Sequence, residues 1–318
     1  MEIFLAGRAV QNYKGVSVPL EELAVTVGRQ WFNEHFHALD AQQHVKFHCL
    51  IRPGSAELVD VFERQRKTGV PLANDTSCGV GYAPLDELES LVYRLEQYLN
   101  TPAFKTDYPE TGEDIKVMAV RENGQVRLTV ACAFIDCHVK DIDDYATKKA
   151  RLQTEIVRIA KQWIAHEPRV ELNTADNIAR GIVYLTVTGT SAEAGDDGEV
   201  GRGNRLNGLI TPCRPMNMEA VAGKNPVTHV GKLYNMAANQ IANAIYEQID
   251  DVDEVYCYLV SQIGRPVNDP QLVAIRVRTR EAGQLDFLRP RIEAIVQANV
   301  NRIGSLWREW ITGAIRTF

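Results

Sequence analysis

The chain has 318 residues, 45% of them hydrophobic and 24% charged, with a formal net charge of −6. That balance is globular and the length exceeds what one core usually organises, so two or three domains are expected. The negative charge argues against a nucleic-acid surface, which needs a positive face, but leaves room for small anions held in a local cationic pocket. No apolar run approaches the ~20 residues of a bilayer span, and Met1-Glu2 lacks the basic flank of a signal peptide. The cytoplasm is the expected location. Six scattered cysteines (Cys49, Cys78, Cys132, Cys137, Cys213, Cys257) form no C-x-x-C pair and indicate neither a disulfide framework nor a zinc ribbon.

In chain order, residues 3–6 predict a strand that begins almost at the first residue. Pro19 starts an amphipathic helix with Leu20, Leu23, Ala24, Val27 and Trp31 on one face. Val45, Phe47 and Cys49 alternate with Lys46 and His48 as in a half-buried strand. A helix is predicted over 85–99, where Leu88, Leu91, Val92 and Leu95 recur at helical spacing and Pro102 follows the end. Strands over 115–121 and 126–134 flank Asn123-Gly124, whose tolerance of positive backbone angles suits a type I′ hairpin turn. A helix over 144–166 carries Leu152, Ile156, Ile159 and Trp163 on one side, and 183–188 reads as a strand.

Residues 189–232 differ from their surroundings, being dense in Gly, Asn, Asp, Arg and Pro. A loop this long inside a compact chain points to function. Beyond it come a helix through Leu233, Ala237, Ile241, Ile245 and Ile249, strands near 255–261 and 272–278, and a long terminal helix from about 287. Strands mixed with packed helices place the chain in the α+β class.

The loop reads Gly189-Thr190-Ser191-Ala192-Glu193-Ala194-Gly195-Asp196-Asp197-Gly198-Glu199-Val200-Gly201-Arg202-Gly203-Asn204-Arg205. Its glycines let backbone N–H groups approach an anion, and Arg202 and Arg205 are planar phosphate donors. Asp196 and Asp197 suit an amine, ribose hydroxyls or Mg²⁺. On residue types alone, a solvated turn with paired surface charges explains it equally well. The familiar nucleotide fingerprints fail: Gly223-Lys224 is followed by Asn225, and Leu206 stands where a Rossmann turn needs its third glycine.

Four further groups are candidates. Asp75 sits among small residues in a stretch that otherwise reads as a turn between elements. Asp114 and Lys116, two apart on a strand, share a face opposite Ile115, as a solvent-facing edge also would. Lys224, His229 and Lys232 precede or open a helix, where cations oppose the helix dipole unless an anion joins them. His35, His37, His44 and His48 are dense enough to raise a metal site, but Lys46 between two of them opposes a cation.

The 189–205 loop, its continuation Asn207-Gly208-Leu209-Ile210-Thr211-Pro212 and Arg214-Pro215-Met216, and the stretches Gly223-Lys224-Asn225-Pro226 and Gly231-Lys232 closely resemble the archaeal-type S-adenosylmethionine synthetases. So do Leu58-Val59-Asp60-Val61-Phe62-Glu63-Arg64, residues 70–85 and residues 112–118, so that the resemblance spans essentially the whole chain. It implies transfer of the adenosyl group of ATP to the sulfur of methionine, followed by cleavage of the released triphosphate, with Mg²⁺ and K⁺ as cofactors. It also implies a homodimer, or a higher homo-oligomer, with active sites between subunits. Asp75 and Asp196 are then contacts to the methionine amine or adenosine, Asp114 the ribose or nucleoside contact, and Lys116 the lysine beside the leaving oxygen. Arg202 and Lys224 resemble triphosphate clamps. His229 falls where the bacterial and eukaryotic branch carries a lysine, for which Lys232 is a substitute, and Asp197 is a further substrate-binding candidate. That branch's carboxylate metal ligand is replaced by Gly231, which leaves the magnesium ligands unassigned.

The implied fold has three similar sheet-plus-helix domains interleaved in sequence: 1–58 with 192–233 as a central domain, 59–85 with 234–318 as a C-terminal-type domain, and 86–191 as an N-terminal-type domain. Nothing in residues 1–60 matches the His-Pro-Asp segment with which such enzymes begin, so the first part of the fold is expected to be truncated. Three readings of the chain remain: an adenosyl-transferring enzyme, a non-catalytic nucleotide-binding or regulatory paralogue, or an unstable fragment with no independent role.

Overall fold

The structure is a computed structural model that describes residues 1–13, 15–195, 198 and 203–315. In chain order the strands are β1 (Glu2–Arg8), β2 (Asn12–Tyr13), β3 (Val16–Ser17), β4 (Lys46–Arg52), β5 (Cys78–Ala83), β6 (Thr111–Glu122), β7 (Gln125–Ile135), β8 (Arg169–Leu172), β9 (Leu185–Thr186), β10 (Val252–Val260) and β11 (Leu272–Thr279). The helices are α1 (Leu20–His35), α2 (Ala56–Thr68), α3 (Glu87–Leu99), α4 (Pro102–Asp107), α5 (Ile142–Ala160), α6 (Val230–Gln248), α7 (Leu285–Arg302) and α8 (Leu306–Ile311). Two compact units emerge, Met1–Gly54 with Asp86–Gly198, and Ser55–Leu85 with Glu199–Phe318.

In the first unit the predicted hairpin forms, with Asn123 and Gly124 at φ of 50° and 80° between the paired Glu122 and Gln125. β8 joins β7 in parallel, and β9 pairs with β7 further along at Phe134 and Ile135. Two helices cover one face of this sheet: Leu91, Leu95 and Leu99 of α3 and Leu152, Ile156 and Ile159 of α5 meet Leu128, Val130 and Phe134 of β7. α3 starts where it does because Asp86 and Glu89 cap each other's backbone N–H groups, at 2.7 and 2.8 Å.

β1 pairs with β4 in parallel over all seven residues, and a smaller core of Leu39, Ala41 and Val45 gathers Phe32, Phe36 and Phe47 around it. Here the expected apolar stripe of α1 is only half covered: Leu23, Val27 and Trp31 keep 50%, 54% and 49% of their surface exposed. A two-stranded pair offers too little area to bury a full helix face. α5 also stops short of the predicted 166, its chain tightening into i→i−3 bonds at Gln162 and Trp163 ahead of Glu167-Pro168. The 183–188 strand shrinks to β9, because the Glu193 carboxylate accepts the N–H groups of Val187 and Thr188 that a neighbouring strand would have engaged.

His37, just past the end of α1, ties this region to β6. Its ring Nδ1 donates to Glu113 Oε1 at 2.6 Å and its Nε2 to the Pro109 carbonyl at 3.0 Å, so both ring nitrogens face acceptors and the ring is held protonated. The Glu113 hydrogen bond accordingly holds His37 above its ordinary 6.5. Burial pushes Glu113 up, but the bonds from His37 outweigh it and the carboxyl ends below its ordinary 4.5.

In the second unit β5 and β11 flank β10, all antiparallel, and α6 lies directly on β5. Two glycines make this possible. A Cβ on Gly79 would strike the backbone of Tyr234, and one on Gly81 the backbone of Ala238. Two strand residues span about 6.6 Å and four helical residues about 6 Å, so the glycine pair and the Tyr234–Ala238 turn run in step. The resulting core takes in Ala237, Ile241 and Ile245 of α6, Val255, Cys257 and Leu259 of β10, and Leu288, Ile292 and Ile303 from beyond. The predicted single terminal helix is broken: after α7 a short 3₁₀ turn places Gly304 against the Pro71 ring, and α8 follows. Neither α2, α4 nor β8 is anticipated by periodicity in the sequence.

Gly81→Ala is therefore expected to cost about 2–3 kcal/mol by forcing α6 off the sheet, read as a lowered denaturant midpoint, whereas Gly124→Asn at the exposed turn costs far less. For the His37–Glu113 pair, the histidine's raised folded value makes its contribution complete below 6.5 and lost as pH climbs through that value; the carboxyl's lowered value makes its own contribution complete above 4.5. The stability gap between wild type and His37→Gln, from denaturant melts across pH, should be widest between those two numbers and close in alkali. A gap independent of pH would refute the charged pair.

Candidate functional site

The first centre is built on Asp114. The pleat of β6 turns Ile115 into the core and leaves Asp114 and Lys116 on the other side, as the i, i+2 spacing requires. Gly112 and Gly189 meet backbone to backbone, so closely that a Cβ on Gly112 would collide with the Gly189 carbonyl. Asp114 N–H donates to that carbonyl at 3.2 Å, which brings the start of the long loop over the strand. Asp114 Oδ2 then accepts from Ser191 Oγ at 2.7 Å, the Ser191 amide at 3.0 Å, Tyr184 OH at 3.2 Å and Thr190 Oγ1 at 3.3 Å.

Burial pushes the Asp114 carboxyl up, but the Ser191 hydroxyl and amide, with the Lys116 charge and Tyr184 behind them, bring it below its ordinary value. All four bonds end on Oδ2, and among the described residues none donates to Oδ1. That leaves an ionised oxygen suited to hydroxyl or ammonium donors. Beneath it, the buried Lys105 donates to the Gly112 carbonyl at 2.7 Å and fixes the same glycine contact from inside.

The second centre lies at the head of α6. His229 caps this 19-residue helix, its Nδ1 accepting from Gly231 N–H at 3.1 Å. That bond makes Nδ1 an acceptor and puts the ring proton on Nε2, and burial together with the Lys224 charge keeps His229 below its ordinary value. Lys224 Nζ pairs with Glu219 Oε2 at 3.0 Å, while Ser77 Oγ donates to Glu219 Oε1 at 2.7 Å. The Glu219 carboxylate rests against Gly231: a Cβ there would stand 2.7 Å from its Cδ. Burial pushes Glu219 up, but Ser77 and Lys224 bring it below the usual value.

An amide network holds this loop in place. Asn217 Nδ2 donates to Asn235 Oδ1 at 2.9 Å, Asn235 Nδ2 to the Gly231 carbonyl at 2.7 Å, and Val80 N–H to Asn235 Oδ1 at 3.1 Å. Lys232 lies one turn into the helix, 1% exposed, with its ammonium 3.8 Å from the centre of the Trp310 ring. Asp75 is exposed, with its Oδ1 accepting from Thr76 N–H at 2.7 Å, and its charge reaches His229.

Of the sequence candidates, Asp114 and Lys116 thus fall in the first unit, and Asp75, Lys224, His229 and Lys232 gather in the second. Asp196, Asp197 and Arg202 lie outside the described residues. Arg205, read as a phosphate donor, instead donates to the Gly203 carbonyl at 2.6 Å and the Asn217 carbonyl at 3.2 Å, so it braces the loop's own backbone. The histidine group disperses: His37 pairs with Glu113, His48 with Glu2 at 3.2 Å, and His44 Nδ1 accepts from Asp40 N–H at 3.0 Å. The sequence reading missed Ser191, Tyr184, Ser77, Glu219 and Trp310. Ser191, Glu219 and Ser77 stood inside stretches already singled out; nothing in the pattern marked Tyr184 or Trp310.

Comparison with known proteins agrees with this picture. The sequence profile of the S-adenosylmethionine synthetase (AdoMet synthetase) family matches residues 1–314. A probable S-adenosylmethionine synthase of Aquifex aeolicus is 51% identical over 312 residues, 98% of this chain and 78% of that protein. The S-adenosylmethionine synthases of Archaeoglobus fulgidus and Methanothermobacter thermautotrophicus are 43% and 42% identical, over 99% and 100% of this chain and 79% of each of theirs. A solved S-adenosylmethionine synthetase of Campylobacter jejuni, described as unusual, is 14% identical and superposes with a TM-score of 0.58 over 95% of this chain and 76% of its own; that likeness is one of fold. With the polar centres of both units resting on the motifs the profile matches, the chain belongs to the S-adenosylmethionine synthetase family.

Proposed function

We propose that the chain makes S-adenosylmethionine from ATP and methionine and hydrolyses the triphosphate that leaves. The observation that carries this reading is the head of α6. There Lys224, His229 and Lys232 lie within one another's electrostatic reach at the positive end of a long helix, with Glu219 and Asp75 the carboxylates near them. Two lysines and a ring N–H donor gathered at a helix N-terminus suit a polyphosphate.

The reaction's demand matches it. As methionine sulfur bonds to C5′ and the C5′–O bond breaks, the electron pair leaves with the triphosphate, so fixed cations near that oxygen stabilise the transition state. Lys224 and Lys232 hold the phosphates, and Nε2–H of His229 donates to a phosphate oxygen. Lys116 stands by the leaving oxygen, with Arg202 as a second clamp. Asp114, ionised and without a donor to Oδ1 among the described residues, takes a ribose hydroxyl pair, and Asp75 with Asp196 and Asp197 takes the methionine amine and the rest of the nucleoside.

Mg²⁺ and K⁺ belong to the same proposal. Among the described residues no three His, Cys, Asp or Glu side chains form a metal cage. Magnesium riding on a triphosphate needs only one or two carboxylates beside phosphate oxygens and water, and Glu219, ionised and next to the cation cluster, fits that requirement. Once bound, the ion would neutralise charge on the departing triphosphate. No described helix is long and apolar enough to cross a membrane; a cytoplasmic location is part of the same proposal. Exposed Met118, Val120 and Leu185 on the first unit's sheet, with Val187 just past β9, support a homodimer that covers them. The division into three domains is part of the proposal too, supported by the separate small core under β1 and β4.

Incubation with ATP, methionine, Mg²⁺ and K⁺ should yield S-adenosylmethionine together with pyrophosphate and phosphate. Lys224→Ala and Asp114→Asn should each lower kcat/KM by about 10²–10³, the loss typical of one removed transition-state contact. A folded preparation that binds ATP but forms no product would leave the nucleotide-binding paralogue in its place.

A further inference from the structure

We infer that Trp310 is a positioning residue: its indole face holds the Lys232 ammonium within the cationic cluster at the head of α6, and an arriving polyphosphate loads Lys232 with a proton. The inference rests on the polyphosphate reading above and adds to it a residue from the far end of the chain.

Lys232 is the most deeply buried cation of the cluster, at 1% exposure, yet among the described residues no carboxylate and no hydrogen-bond acceptor meets its ammonium. Its contact is the Trp310 ring, at a distance typical of a cation seated squarely on an aromatic face. Trp310 is itself half-buried, packed by α8 against the core that α6 belongs to. The charges facing this corner are few. Lys224 repels the ammonium, His229 is kept neutral by its cap bond and surroundings, Glu219 is already engaged by Lys224 and Ser77, and the exposed Asp75 bears on His229. On α8, Glu309 turns to Arg302 at 2.7 Å and Arg308 stacks on Trp307, so neither serves Lys232.

An ammonium deprived of most of its water and set beside a like charge, with a π face in return, holds its proton less firmly than a solvated lysine. Burial first and Lys224 second push Lys232 down to about 8. Without the ring it would hold the proton less firmly still, because the quadrupole stabilises the charged form alone. A polyphosphate reverses the balance by adding the missing negative charge. Near pH 8 the proton is drawn from solvent onto Nζ, so the share of Lys232 that is charged rises when the ligand binds. Trp310 sets how much of that charge is present beforehand.

Two measurements test this on the full chain. In the ligand-free protein, the side-chain ¹⁵N or ¹³Cε resonance of Lys232, assigned by its loss in Lys232→Met, should titrate near pH 8, stay there in Trp310→Phe, and move to lower pH in Trp310→Leu. Calorimetry with inorganic triphosphate and Mg²⁺, in buffers of different ionisation heat at pH 8, should show more proton uptake by wild type than by Lys232→Met. Trp310→Leu should bind about tenfold more weakly with greater uptake, and Trp310→Phe should bind close to wild type. A Lys232 titration unmoved by Trp310→Leu, damage as great in Trp310→Phe as in Trp310→Leu, or equal proton uptake by wild type and Lys232→Met would each overturn the inference. If Lys232 titrates as described but wild type binds no triphosphate, the polyphosphate reading falls and the proton-loading step with it, while the Trp310–Lys232 contact stands.

Discussion

The second unit depends on how closely α6 can approach β5. Gly79 and Gly81 occupy the one face of the strand on which a side chain would collide with helix backbone, and they do so in register with a turn of α6. Because the helix is held this close, Asn235, which bonds the Gly231 carbonyl one turn back on its own helix, also reaches Val80, and through Asn217 it draws the 217–224 segment over the helix start. Lys224 and Glu219 owe their place to that segment. A packing constraint in the strand thus becomes an electrostatic one at the helix head.

The first unit achieves its centre by the same means with different parts. Gly112 against Gly189 lets a loop backbone touch a strand backbone, and the Ser191 hydroxyl and amide come to rest on Asp114 as a result. The two centres are electrostatic opposites. Around Asp114 the donors outnumber the acceptors and the carboxyl is held ionised; around Lys232 burial and the Lys224 charge loosen the ammonium's hold on its proton. Each is the state that a ligand of the opposite kind would relieve.

Much of the fold was legible because its signals are local. The Asn123-Gly124 turn fixes two backbone angles by residue type, and the α3 stripe of Leu91 and Leu95 follows from helical period alone. Failures came where a distant partner decides. Nothing within 183–188 announces that Glu193 will take the amides of Val187 and Thr188, and nothing near residue 302 announces the Pro71 ring that Gly304 meets. The two-residue strands and the six-residue α4 are too short for periodicity to register.

For the site, sequence could name charged residues in polar loops but could not rank them by environment. Arg205 and Lys224 look alike on paper; one donates to the Gly203 and Asn217 carbonyls and the other faces Glu219. Lys232 and Trp310 show the limit most clearly. They lie nearly eighty residues apart, neither belongs to a recognisable motif with the other, and an ordinary amphipathic reading assigns the tryptophan to the core and the lysine to the surface. Only the packing of α8 against the α6 core puts the ring under the ammonium. Burial then does to the lysine what no local sequence can encode: it removes water without supplying an anion, and leaves the charge of the site contingent on what binds there.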